Sequence, residues 1–394
     1  MLTPAYLSGV SAEVVDLFAQ VEEDIASDMV RRMMKMGYVS ETTQWQARKA
    51  REMGMFQEDL TATLSKASGQ SRKDITRIMG QAASRSLSFD DAIYRRAGLA
   101  PGAISQSPAM RAILLQGTSQ TMGLITNFTK TTATSSYAGL NGLLDRAYIQ
   151  IMSGAFAPSR AIHMAVTELA RNGITQVSYA SGNSSVEAAV RRAVTTGVNQ
   201  SISKLQLARA EEMGCELVEV SSHAGARPSH AVWQGRVYCI KGYHKEYGDF
   251  YRETGYGDGD GLCGWNCYHS FFPFFEGLST RSFSEDPAAD AGRDNDLEYE
   301  QQQRQRYYER QVRAAKRECV TYNAAAQAAR SDGDREMYLH DFQGASVKLK
   351  NREARLRNYL EETGRGRDRT REQVGGFDRS VSGKAVWADR KARG

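Results

Sequence analysis

Two stretches hold the residues of this chain best suited to chemistry. HAGARPSHAVWQGRVYCIKG begins at His223 and GDGDGLCGWNCYHSFFPFFEG at Gly257; with the loop between them they carry four of the six histidines and three of the five cysteines. Cys263, Cys267 and His269, with His230 brought in from the first stretch, are ligand types that suit a tetrahedral zinc ion. The spacing is not that of a C-x-x-C pair, and no second pair exists. The competing arrangement is a buried thiol pair with histidines bonded to backbone and no cofactor, and the residues favour it. A third arrangement sets His223, His230, Asn266 and His269 as acid, base and orienting groups of a metal-assisted nuclease or a cysteine hydrolase, with Arg227 and Gln234 facing an anionic substrate. Nothing in the sequence specifies a nucleophile, its base and a pocket together, so no catalytic residue is assigned. His223, Arg227, His230, Trp233, Gln234, Gly235, Gly264, Trp265 and Asn266 are expected to build one internally bonded structural module. Arg227 and Asn266 would brace loops, while the two tryptophans and Phe271–Phe275 would fill its apolar centre.

Three other motif matches fail on context. GDGLCG from Gly259 fits G-x-G-x-x-G but neither follows a clean strand nor opens a helix. Around Gly383 and Lys384, a phosphate loop would need glycine at Asp378 and Ser or Thr at Ala385. A calcium loop counted from Asp258 would need glutamate where His269 stands.

These residues must be positioned by the rest of the chain. From Ser11, Val14, Phe18, Val21, Ile25 and Met29 recur at spacings of three and four, one face of an amphipathic helix. Ser71, three residues before Asp74, reads as a helix cap. Pro108 suits a first helical turn, and Gly139, Gly142, Gly154 and Gly173 read as punctuation. The clearest helix starts near Ser184 and stops at Gly214. At Cys215 the period falls to two: Val218 and Val220 alternate with Glu219 and Ser221, which predicts a strand, and AVWQGRVYCI predicts a second. An acidic, serine-containing linker follows Gly277. Two charged helices come next, the second with a narrow seam of Phe342, Ala345, Leu349, Leu356 and Leu360. The final polar residues are expected to order only against something else. The chain is therefore expected to be α+β and mainly α: a helical domain over 1–213, a compact α+β module over 214–280, and a linker with a helical tail over 281–394.

The 394 residues carry a net charge of +5, unevenly spread. Residues 301–394 hold 22 Lys/Arg against 13 Asp/Glu, whereas the first 300 hold 29 against 33. A basic tail suits an anionic partner such as nucleic acid, although dispersal of its arginines among glutamates favours local pairing. No apolar segment is long enough to span a membrane, and no signal peptide is read at the N-terminus. An odd cysteine count with one close pair fits thiols in a reducing compartment.

Most of residues 185–394, and more loosely the helical N-terminal part, resemble the phage minor capsid protein 2 family, itself distantly similar to the Mu-type minor head proteins. The likeness rests on VRRAVTTGVNQSISKLQLARAEEMGCELVEVSSHAGARPSHAVWQGRVY, GYGDGDGLCGWNCYHSFFPFFEG, QRQRYYERQVRAAKRE and RDRTREQVGGFDRSVSGKA, with Tyr268 where a basic residue is more usual. The resemblance implies a non-enzymatic component of the virion, assembled in the host cytoplasm beside the portal protein and in contact with major capsid or scaffold protein. It also implies a part in head assembly or DNA delivery; separately, the basic charge of residues 301–394 makes packaged DNA an expected partner of the tail. The alternatives are a Cys/His-dependent nuclease or toxin-like enzyme, and a DNA-binding accessory protein.

Overall fold

The computed structural model describes residues 1–174, 176–179, 182–284 and 294–394. Residues 285–293, much of the expected acidic linker, lie outside the described residues. The elements in chain order are α1 (Pro4–Gly9), α2 (Ala12–Met36), α3 (Thr42–Arg96), α4 (Pro108–Met152), α5 (Pro158–Asn172), β1 (Gln176–Tyr179), β2 (Gly182–Ser185), α6 (Val186–Glu212), β3 (Leu217–Val220), α7 (Pro228–Ala231), β4 (Val237–Cys239), β5 (Gly248–Asp249), α8 (Phe250–Thr254), β6 (Phe271–Phe274), α9 (Asn295–Ala328), α10 (Asp332–Thr363) and α11 (Arg379–Arg393). The fold is α+β and mainly α. Among the described residues no helix is long and apolar enough to cross a membrane.

These elements form two compact units, each drawn from three stretches of chain. One takes Met1–Val14, Gln70–Thr126 and Val190–Gln303, and the other takes Val15–Gly69, Asn127–Ala189 and Arg304–Gly394.

Helix α3 runs unbroken for 55 residues, about 80 Å at 1.5 Å per residue. Ser71 therefore caps nothing and lies buried inside it. The reason is a continuous stripe: Leu60, Leu64, Ala67, Ser71, Ile75, Ile78 and Ala82 are all buried at spacings of three and four, and burial along one helix face outweighs a local cap. Gly139 and Gly142 likewise lie inside α4, whereas Gly154 and Gly173 do sit at helix ends with positive φ. Between Gly173 and α6, β1 pairs with β2 in an antiparallel hairpin, Gln176 opposite Ser185, which the helical reading of 1–213 did not include.

In the first unit α6 lies close against α4. A Cβ on Gly117 would fall 2.0 Å from Ser201 Oγ, and one on Gly197 would fall 2.1 Å from Thr121 Oγ1. Only glycine at these two places allows the approach. Beside α6 sits a four-stranded sheet in the order β5-β4-β3-β6. Strand β3 is antiparallel to both β4 (Leu217 opposite Cys239) and β6 (Leu217 opposite Phe274), and β4 is parallel to β5. The alternation read in β3 does not leave a wet face, for Glu219 is buried. Its Oε1 accepts the backbone N–H of Ser282 at 2.7 Å and of Phe283 at 2.9 Å. Desolvation pushes its carboxyl above the ordinary range.

The second unit has one large apolar core, and the seam residues of α10 belong to it. So do Val381, Ala385 and Ala388 of α11, a helix whose first turn is capped by Asp378 accepting from Val381 N at 2.9 Å. The chain's end is thus built into this core. The narrow apolar rows on the charged helices meet one another, and each covers what the other would leave wet. The basic residues here are extensively paired. Arg367 forks onto Glu372 at 2.6 and 2.5 Å, Arg306 bonds Glu309, and Arg313 meets Glu187 at 2.9 Å.

If α11 is core, Ala385→Asp should cost about 2–4 kcal/mol in urea unfolding, because it buries a carboxylate among apolar groups. Arg390→Gln, on the exposed side, should stay within about 0.5 kcal/mol. Equal midpoints for the two variants would place α11 outside the core.

Candidate functional site

The sequence-selected histidines converge behind the sheet because of two short devices. Pro228 opens the single turn α7 after Arg227, which is the N-cap; the turn carries His230 inward and Trp233 and Gln234 after it. Gly235 then turns the chain at φ 71°, where a Cβ would meet Ser284 O at 2.0 Å. Beyond α8 the glycine-rich stretch folds on itself. Leu262 N donates to Thr254 O at 2.9 Å and Trp265 N to Gly259 O at 2.7 Å. A Cβ on Gly264 would stand 2.3 Å from Gly259 O, so the loop closes only around glycine.

His230, Cys267 and His269 are brought together, 2, 1 and 0 % exposed. One ligand atom from each lies within 4.8 Å of the other two. Cys263 lies outside this group; its thiol points to His269 O at 3.8 Å. Cys267 Sγ is 3.5 Å from His269 Nδ1. His269 Nε2 is 2.8 Å from Gln234 Oε1, and the same oxygen accepts the backbone N–H of His223 at 3.0 Å. His230 Nε2 is 2.7 Å from Asp260 O, and His223 Nδ1 is 3.1 Å from Ala224 O. An amide or carbonyl oxygen accepts only, so in each ring the named nitrogen carries the proton and the other keeps its lone pair. The rings pack closely: His223 stacks on His269 at 4.3 Å, and Trp233 meets His269 edge-on at 4.8 Å.

Burial holds these groups uncharged. Desolvation lowers His230 to about 4 and moves His223 and His269 in the same direction. It raises the Cys267 thiol to about 11 and Cys263 well above its ordinary value. A nucleophilic cysteine needs the opposite, a thiolate stabilised by a nearby positive charge and open to substrate.

The remaining expected residues fall into structural places. Arg227 donates to Trp265 O at 2.6 Å and so braces the loop. Asn266 takes φ 51°, a left-handed conformation that asparagine tolerates, and its backbone N–H donates to Thr196 Oγ1 at 3.1 Å. Trp233 is buried, but Trp265 is 56 % exposed and does not join the apolar centre. Its backbone is held on both sides, by Gly259 O and Arg227, and its ring lies over Gly259. The centre is instead filled by Val218, Val220, Trp233, Tyr238, Phe250, Leu262 and Phe271 with the two thiols.

Sequence reading missed two residues of α6. Asn199 donates its amide to Cys267 O at 3.0 Å and His269 O at 3.1 Å. Gln206 donates to Phe271 O at 2.5 Å and to Asp90 Oδ2 at 2.9 Å. The available signal was a pair of amides seven residues apart among the apolar residues Val198, Ile202 and Leu205, where an unpartnered amide would be costly.

Comparison with known proteins now bears on this geometry. The family model described as phage minor capsid protein 2 matches residues 2–361, most of the chain. The chain belongs to this family. The phage minor capsid protein 2 match takes in both the α6 helix and the Cys/His cluster. A structural protein of Lactococcus phage LL-H is 25% identical over 178 residues, 43% of this chain and 47% of that protein. The chain thus spans about half the length of that curated relative. No solved structure matches.

Asn199→Leu keeps the approximate volume but leaves two buried carbonyls without donors, so it should cost about 2–4 kcal/mol of unfolding free energy. Amide exchange should accelerate first between Cys267 and Phe271. Unchanged stability and exchange would mean that water replaces the amide at no cost.

Proposed function

We propose that this chain is a structural, non-enzymatic component of a tailed phage or prophage head, built into the virion during assembly in the host cytoplasm. Its place would be beside the portal protein and in contact with major capsid or scaffold protein. The observation that carries this reading is the family match across residues 2–361. The site's chemistry supports it: neutral, buried histidines and protonated thiols suit a folding centre more than a nuclease or toxin.

A second reading, compatible with the first, is contact with packaged DNA through residues 301–394, favoured by their net charge of +9. Such contact would be sequence-nonspecific and weakened by salt. The paired arginines reduce the charge available for it.

The deciding experiment is quantitative mass spectrometry of DNA-filled particles from the phage or prophage that encodes this chain. The chain should be found there at a small fraction of the copy number of the major capsid protein. Its absence from filled particles, with normal expression in producing cells, would overturn the virion reading.

A further inference from the structure

We propose that His230, Cys267 and His269 bind a zinc ion that locks the α7 turn to the entry of β6. Three observations carry this. The donor set is two imidazoles and a thiol, the mixture that suits zinc, and the three atoms already lie within 4.8 Å of one another. Donors at tetrahedral angles around zinc stand roughly 3.3–3.7 Å apart, given bond lengths near 2.0–2.3 Å. The 3.5 Å between Cys267 Sγ and His269 Nδ1 is at that spacing, so closing the site requires only a small inward shift of His230.

The second observation concerns the outer nitrogens. Zinc-binding histidines commonly donate their other N–H to a carbonyl or carboxylate, which fixes the tautomer and aims the lone pair at the ion. Both rings have this partner in place, Gln234 Oε1 for His269 at 2.8 Å and Asp260 O for His230 at 2.7 Å. Gln234 is itself buried and oriented by the backbone N–H of His223.

The third is an unsatisfied atom. His223 packs on His269, and its Nε2 is buried with no hydrogen-bond partner. That nitrogen lies outside the three-donor group, so the fourth coordination position is left to a water molecule. On binding, the Cys267 thiol gives its proton to solvent and the sulfur bonds the ion as thiolate. Cys263, on this account, is not a ligand.

The site does not depend on the virion reading, since it concerns the folded chain alone. The test uses the purified full chain expressed with zinc in the medium. Elemental analysis should find about one zinc per chain, and a strong chelator should lower the unfolding temperature, restored by added zinc. Replacing zinc with cobalt(II) should give a sulfur-to-cobalt charge-transfer band in the near ultraviolet. Cys263→Ser should keep both the metal and the band, whereas Cys267→Ser should lose both. The wild-type measurements decide the matter even if Cys267→Ser does not fold. A wild-type chain with no bound zinc, no response to chelator and no cobalt–thiolate band would overturn the proposal, and loss of the band in Cys263→Ser would overturn the ligand assignment.

Discussion

Two side-chain amides on one helix secure the edge of a sheet, and the Cys/His cluster depends on them. Strand β6 lies at one end of the order β5-β4-β3-β6, so alternate backbone groups along it have no neighbouring strand. Ser270 faces inward, where its N–H donates to Ser221 Oγ and its carbonyl accepts from Ser221 N. The carbonyls of Cys267, His269 and Phe271 face α6, where Asn199 takes the first two and Gln206 the third. The two repeats match in length. Seven helical residues advance about 10 Å at 1.5 Å each, and the three residues from the middle of the first pair to Phe271 advance about 10 Å at 3.3 Å each. An exposed edge would invite pairing with another chain; this one is closed by its own helix.

The cluster then inherits its order from that edge. Cys267 and His269 are two residues apart on an extended segment, so they share a face, and the Asn199 bonds fix both of their carbonyls. His230 comes from a separate turn and is held by Asp260 O. In the metal-free chain the electrostatic cost of this crowded polar centre is limited because burial keeps its members neutral. Beneath it, Asp90 Oδ2 accepts from Gln206, and burial pushes its carboxyl up to about 7. Gln206 therefore connects α3, α6 and β6 through one amide, which makes the sheet edge sensitive to the packing of both helices.

Much of this was legible in the residues. The period change at Cys215, the stop at Gly214, the seam of α10 and the concentration of histidines and cysteines after His223 all correspond to what the chain does. The family was visible in its motifs. What escaped reading was long-range. Ser71 carries a valid local capping signal that loses to a stripe seven residues and more in each direction. Trp265 looks like a core residue by type, yet the loop that holds its backbone leaves its ring outside. The closing residues are polar on average and still supply Val381, Ala385 and Ala388 to a core whose other members are far away in sequence. Asn199 and Gln206 are ordinary helical amides until the strand they serve is known.

The central proposal is that the Cys/His cluster serves the fold of a virion component and performs no reaction. The most direct measurement complements a deletion of the gene with His230→Ala or Cys267→Ala, and reads infectious particle yield beside the folded fraction of each variant over a range of temperatures. The account predicts that yield follows folded fraction and recovers wherever the variant folds. A variant that is fully folded at the assay temperature and still yields no infectious particles would contradict it.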